Sequence, residues 1–106
     1  MPKYLVQANY VGEGLKGLLK EGGSSRRAAV EKLFESVGAK VEAFYYAFGD
    51  TDLFVILDAP DNVTAAALTL TVNAAGTATA KVTVLLTAEE IDVAAKKSPS
   101  YRPPGQ

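Results

Sequence analysis

Cysteine and histidine are both absent from these 106 residues. Without cysteine the chain has no disulfide framework, no thiolate nucleophile and no thiolate-held iron–sulfur or structural zinc site. Without histidine it has no imidazole base, no proximal haem ligand and no His-containing metal site. An imbalance of charge is also lacking. Eleven basic and twelve acidic residues leave a formal net charge of −1, so no domain-wide field draws the chain to nucleic acid or to an anionic membrane. No run approaches the roughly 18 apolar residues of a membrane-spanning helix. Met1-Pro2-Lys3 leads into a strand-like segment and not into a signal peptide. The expectation is a cytoplasmic protein with no cofactor and no metal, and with neither nucleic acid nor membrane as a partner. Any chemistry falls to Asp, Glu, Lys, Arg, Tyr, Ser, Thr or the backbone.

What is present is enough for one core. A chain of this length buries roughly two thirds of its unfolded surface without a staple, and 48% of its residues are apolar. Along Lys3 to Tyr10, Tyr4, Val6, Ala8 and Tyr10 alternate with Leu5, Gln7 and Asn9, the period of a strand. Val11-Gly12-Glu13-Gly14 breaks it, and Leu15, Leu18 and Leu19 then recur at helical spacing as far as Gly22-Gly23. Ser24 or Ser25 is placed to cap a longer helix to about Val37, with Ala29, Val30, Leu33, Phe34 and Val37 as its apolar stripe and Gly38 as its left-handed stop.

Two further strands, Lys40 to Phe48 and Leu53 to Asp58, flank the turn formers Gly49, Asp50, Thr51 and Asp52, the pattern of a β-hairpin. Both are apolar on two faces. In the first, Val41, Ala43 and Tyr45 fall on one side and Phe44, Tyr46 and Phe48 on the other. Asp61 or Asn62 caps a helix ending between Asn73 and Gly76. Thr77 to Leu86 is a strand with Ala78, Ala80, Val82, Val84 and Leu86 inward. Thr87-Ala88-Glu89-Glu90 caps a short helix from Ile91 to Lys97.

The order strand, helix, strand, strand, helix, strand predicts an α+β, ferredoxin-like βαββαβ fold, a four-stranded antiparallel sheet with helices on one face. Residues 1–97 form a single domain, and 98–106 an extended, proline-containing tail. The other sheet face is left bare and apolar, so the expected partner is the chain itself, a homo-oligomer joined through that face.

At KYLVQANY, GLKGLL, RRAAVEKL, FYYAFGDTDLFVILDAPDN and VLLTAEEIDVAAKKS the chain resembles the GYD domain family. The family's Gly, Tyr, Asp signature falls here on Gly49 and Asp52, with Thr51 at the tyrosine position. The resemblance implies a relative of the dimeric α/β barrels with no assigned biochemical role, and it brings no catalytic residues.

In this topology one edge of the sheet gathers Asn9, Tyr10, Arg26, Arg27, Asp50, Asp52 and Asn73, which together with Tyr46 are the candidate ligand-binding residues. The two arginines follow Gly22-Gly23-Ser24-Ser25, a cradle for a carboxylate or phosphate. Alternatively, one points to water and the other pairs with Asp52 or Glu31. Asp50 and Asp52 are spaced like an acid–base pair, although turn aspartates more often cap their own backbone. Tyr10, Tyr45, Tyr46 and Phe48 are suited either to a pocket or to core and interface packing. The leading functional expectation is a homo-oligomeric domain that binds a small organic or anionic molecule. The alternatives are a cofactor-free enzyme of the monooxygenase or isomerase type, by fold analogy, and a structural assembly subunit.

Overall fold

Alternating side chains on four segments and apolar stripes on two helices leave one economical way to bury the apolar surface, with the helices laid across one face of a sheet. The computed structural model, which describes residues 1–106, has this arrangement. Its elements are β1 (Lys3–Tyr10), α1 (Gly12–Glu21), α2 (Gly23–Glu35), β2 (Lys40–Tyr46), β3 (Leu53–Asp58), α3 (Asn62–Ala75), β4 (Ala78–Leu85) and α4 (Ala88–Lys96). The strands form one antiparallel sheet in the order β2-β3-β1-β4, which is the ferredoxin-like topology. Tyr4 and Ala8 from β1, Leu53, Val55 and Leu57 from β3, Phe44 from β2, Phe34 from α2, and Ala65 and Leu68 from α3 form the buried cluster, together with Ala39 and Ala59.

The helix ends follow local chemistry. The Asp61 carboxylate accepts the Thr64 amide at 2.8 Å and starts α3, and Gly76 at φ 77° closes it. Thr87 accepts the Glu90 amide at 3.1 Å while Glu90 accepts the Thr87 amide at 2.9 Å, a complete capping box for α4.

Several boundaries differ from expectation. Gly12 to Gly14 belong to α1, which starts three residues before Leu15. Gly22, at φ 83°, ends α1 and begins α2 without a side-chain cap, so neither Ser24 nor Ser25 caps the helix. Because α2 starts at Gly23, Arg26 and Arg27 lie beyond the first turn, where the macrodipole penalty has largely decayed. β2 stops at Tyr46, which leaves Phe48 outside the sheet and exposed, and β4 stops at Leu85, which leaves Leu86 exposed and not inward.

One correction concerns the faces of β2. Val41 pairs with Leu57 but Ala43 pairs with Ile56, so Glu42 is the extra residue of a β-bulge. The bulge turns Val41 onto the helix-covered face with Phe44 and Tyr46, where it packs against the core, and leaves Ala43 and Tyr45 on the open face. Strict alternation places Val41 on the wrong side because it does not allow for an inserted residue.

The two covering helices lie apart. α2 packs chiefly on α1 and β2, whereas α3 packs chiefly on β4. Between them the central strands β1 and β3 are roofed incompletely, and a cleft remains.

Candidate functional site

The cleft has a volume of about 230 Å³. Its floor is Tyr4, Val6 and Ala8 of β1 with Val55 of β3 and Val82 of β4. One wall is Ala29, Val30 and Leu33 of α2, and the other is Leu68, Thr69 and Val72 of α3. Ala29, Val30, Leu33 and Val82 read in the sequence as inward-facing, whereas the α3 wall does not: helical spacing there favours Val63 and Leu70, which are exposed. Core and cleft floor use the same side chains, and only the separation of the two helices distinguishes them.

Polar groups sit at the two ends. At one, the Tyr4 hydroxyl donates to the Asn62 side chain, so a buried phenol is satisfied within the protein. At the other, Arg26 and Tyr10 face the cleft, and Arg26 is the only charged residue that lines it. The Arg26 guanidinium also reaches Glu21 at 3.5 Å, with both side chains partly exposed. Beside them the Tyr46 hydroxyl donates to the Gly23 carbonyl at 2.9 Å. Burial first, and the adjoining Tyr10 hydroxyl second, hold the Tyr46 phenol above its ordinary value of 10.0 against the opposing pull of Arg26 and Arg27. It therefore stays protonated and remains a donor at neutral pH.

The sheet divides the predicted site residues between its two sides. Asn9 and Tyr10 are consecutive in β1 and so point to opposite faces. Tyr10 joins Arg26 and Tyr46 on the helix side. Asn9 lies on the open side, in a polar hollow with Gln7, Asp50, Thr51, Thr79 and Lys81. There the Thr51 hydroxyl, at the family signature's tyrosine position, meets Gln7 at 3.4 Å.

Asp52 ties the hairpin turn to the end of β1. Its amide donates to Asn9 Oδ1 at 2.9 Å and to the Ala8 carbonyl at 3.1 Å, and its carboxylate accepts the Tyr10 amide at 3.0 Å. Asn73 likewise clamps the backbone of Ala80, accepting its amide at 2.8 Å and donating to its carbonyl at 3.3 Å. Arg27 pairs with Glu31 at 2.8 Å and lies over the Phe44 ring at 5.6 Å, so it braces α2 against β2. Asp50 lies across the sheet from Arg26. The pair Asp50 and Asp52 does not face the cleft.

Tyr45 and Phe48 stand outside the cleft too, Tyr45 on the open sheet face and Phe48 in the turn. No three residues among His, Cys, Asp and Glu come together as a metal-holding group, and no helix is long and apolar enough to cross a membrane. With no carboxylate on its walls, the cleft offers apolar surface, one guanidinium and a few hydroxyls, a set suited to holding and orienting a molecule.

The sequence model of the GYD domain family matches residues 4–95. This chain belongs to the GYD domain family. The match spans both walls and the floor of the cleft as well as α4 up to Ala95, so the GYD domain carries the whole site. No curated protein and no solved structure matches the chain.

Proposed function

We propose that this GYD-domain protein is a homo-oligomeric binding protein for small organic molecules, with the cleft between α2 and α3 as its binding site. The observation that carries the reading is a cleft of about 230 Å³, apolar along its length and charged only at Arg26. The sheet-edge residues that serve the ligand in this reading are Tyr10 and Arg26, with Tyr46 bonded to the Gly23 carbonyl beside them. Asn9, Arg27, Asp52 and Asn73 hold the frame around it, and Asp50 lies in the polar hollow on the other side of the sheet.

Self-association is supported by surface area. The chain exposes 7428 Å², whereas a compact monomer of 11.1 kDa exposes about 5,700 Å². The surplus of about 1,700 Å² is twice the roughly 800 Å² that each partner covers in a standard interface. It has two visible sources. The open sheet face presents Leu5, Ala43, Tyr45, Phe54 and Ile56, with Tyr45 71% exposed, and everything from Leu86 to Gln106 is exposed. A second copy seated on the sheet face shields the first set and gives the dimeric barrel arrangement that the fold permits.

A thermal-shift screen of metabolites against the purified chain tests the binding reading, because a ligand of the folded state raises Tm as it saturates. Hits among small organic molecules are expected. A flat response across broad chemical classes overturns the reading.

A further inference from the structure

The cleft selects for charge and size together. The geometry points to a monocarboxylic acid with an apolar body about one aromatic ring in size, its carboxylate on Arg26 and its ring over Val6, Val55 and Val82. This rests on the binding reading given above.

Size is set by volume. A cavity of about 150 Å³ accommodates benzene, so 230 Å³ takes one ring and a substituent the size of a carboxyl group. Orientation is set by the polar ends. The Tyr4 phenol is already bonded to Asn62 and no charged side chain lines the cleft there, so that end receives the apolar body. The opposite end has the guanidinium of Arg26 and the Tyr10 hydroxyl. A guanidinium presents a planar fork that matches a carboxylate bidentately.

Charge selection follows. Arg26 repels a cation, and no acidic side chain lines the cleft to welcome one. A single guanidinium balances a monoanion but leaves a second negative charge uncompensated against an apolar wall. The Glu21 contact does not close the site. At 3.5 Å, between side chains 34% and 49% exposed, it is the kind of surface pair that contributes little and yields to a better-aligned carboxylate. Access is open because α2 and α3 pack to opposite edges of the sheet.

The test is a nitrogen-15 NMR titration of the full chain with benzoate and with its neutral counterpart benzyl alcohol. Three proteins are compared: the wild type, Arg26→Gln and Ala29→Trp. Ala29 lies on the cleft wall and is itself exposed, so the indole enters from the rim without displacing the core. Benzoate is expected to shift amides of β1, α2 and α3 and to bind more tightly than the alcohol. Arg26→Gln is expected to weaken benzoate about tenfold or more, as loss of a charge-assisted pair does, while leaving the alcohol unchanged. Ala29→Trp is expected to abolish both. Equal affinity for the two probes, or benzoate binding indifferent to Arg26→Gln, overturns the carboxylate inference and leaves the cleft reading standing. Undiminished binding by folded Ala29→Trp, or no binding of either probe by the wild type, overturns both.

Discussion

Gly14 and Gly17 stand three residues apart on α1 in opposite surroundings. A Cβ added at Gly14 would lie 1.8 Å from the Thr77 carbonyl oxygen, whereas one added at Gly17 would have nothing within 4 Å. Helix propensity favours alanine at both positions by up to about 1 kcal/mol. At Gly14 the clash with backbone dominates. Gly14→Ala is therefore predicted to destabilise by about 1–3 kcal/mol, the range for forced overpacking, and Gly17→Ala to stabilise by up to about 1 kcal/mol. Urea denaturation of the pair decides, and changes of the same sign in both would refute the close approach of α1 to Thr77.

Asp61 depends instead on a local partner. The Thr64 amide bonds its carboxylate and holds it below its ordinary 3.8. A depressed acid contributes stability that is present above the unfolded value and disappears as pH falls through the folded one. Asp61→Ala is thus predicted to be less stable than wild type at pH 6, and the gap to narrow below about pH 4. Melts at pH 6 and pH 3 measure it; a gap that persists unchanged at pH 3 would rule out the charged cap.

Among the elements, α4 is the anomaly. Its nine residues have a full capping box but bury nothing, and isolated helices shorter than about 12–15 residues are marginal in water. The cap is then its main support within one copy. Thr87→Ala, which removes a cap contributing about 1 kcal/mol, is predicted to melt α4 while the sheet and cleft stay intact. Amide exchange at Ile91 to Ala95 is the measurement. Equal protection in variant and wild type would mean that other contacts hold the helix. The bulge at Glu42 acts on the same scale, since one inserted residue supplies Val41 to the core and keeps Tyr45 for the open face.

On the scale of the whole chain, the radius of gyration is 17.0 Å, against about 13 Å for a compact domain of this length. The excess length belongs to the arm from Leu86 onward, which projects from the sheet with Ile91, Val93 and Tyr101 exposed. In the oligomer proposed above, the face bearing Phe54 is the surface that a second copy covers. Light scattering is predicted to report at least twice the 11.1 kDa chain mass. Phe54→Glu, which places a charge at the centre of that face, is predicted to shift the mass toward one copy. A wild-type monomer at all concentrations would eliminate this assembly.

Much of this was legible in the chain. The Asp61 and Thr87 caps and the Gly38 and Gly76 stops depend on residues within a turn of one another, and each appears where the local pattern puts it, whereas strand alternation misplaces Val41 and Leu86. The site was legible only in part. Arg26 and Tyr10 were picked out for their chemistry, but so were Tyr46, Asp52 and Asn73, whose polar atoms the fold commits to backbone. The sequence by itself determined the elements, their order and the absence of thiol and imidazole chemistry, because these follow from residue type and near-neighbour spacing. Tertiary structure alone decided which face Val41 takes and that α2 and α3 stand apart over a cleft. Those outcomes depend on strand register and helix seating, which are contests among contacts distant along the chain.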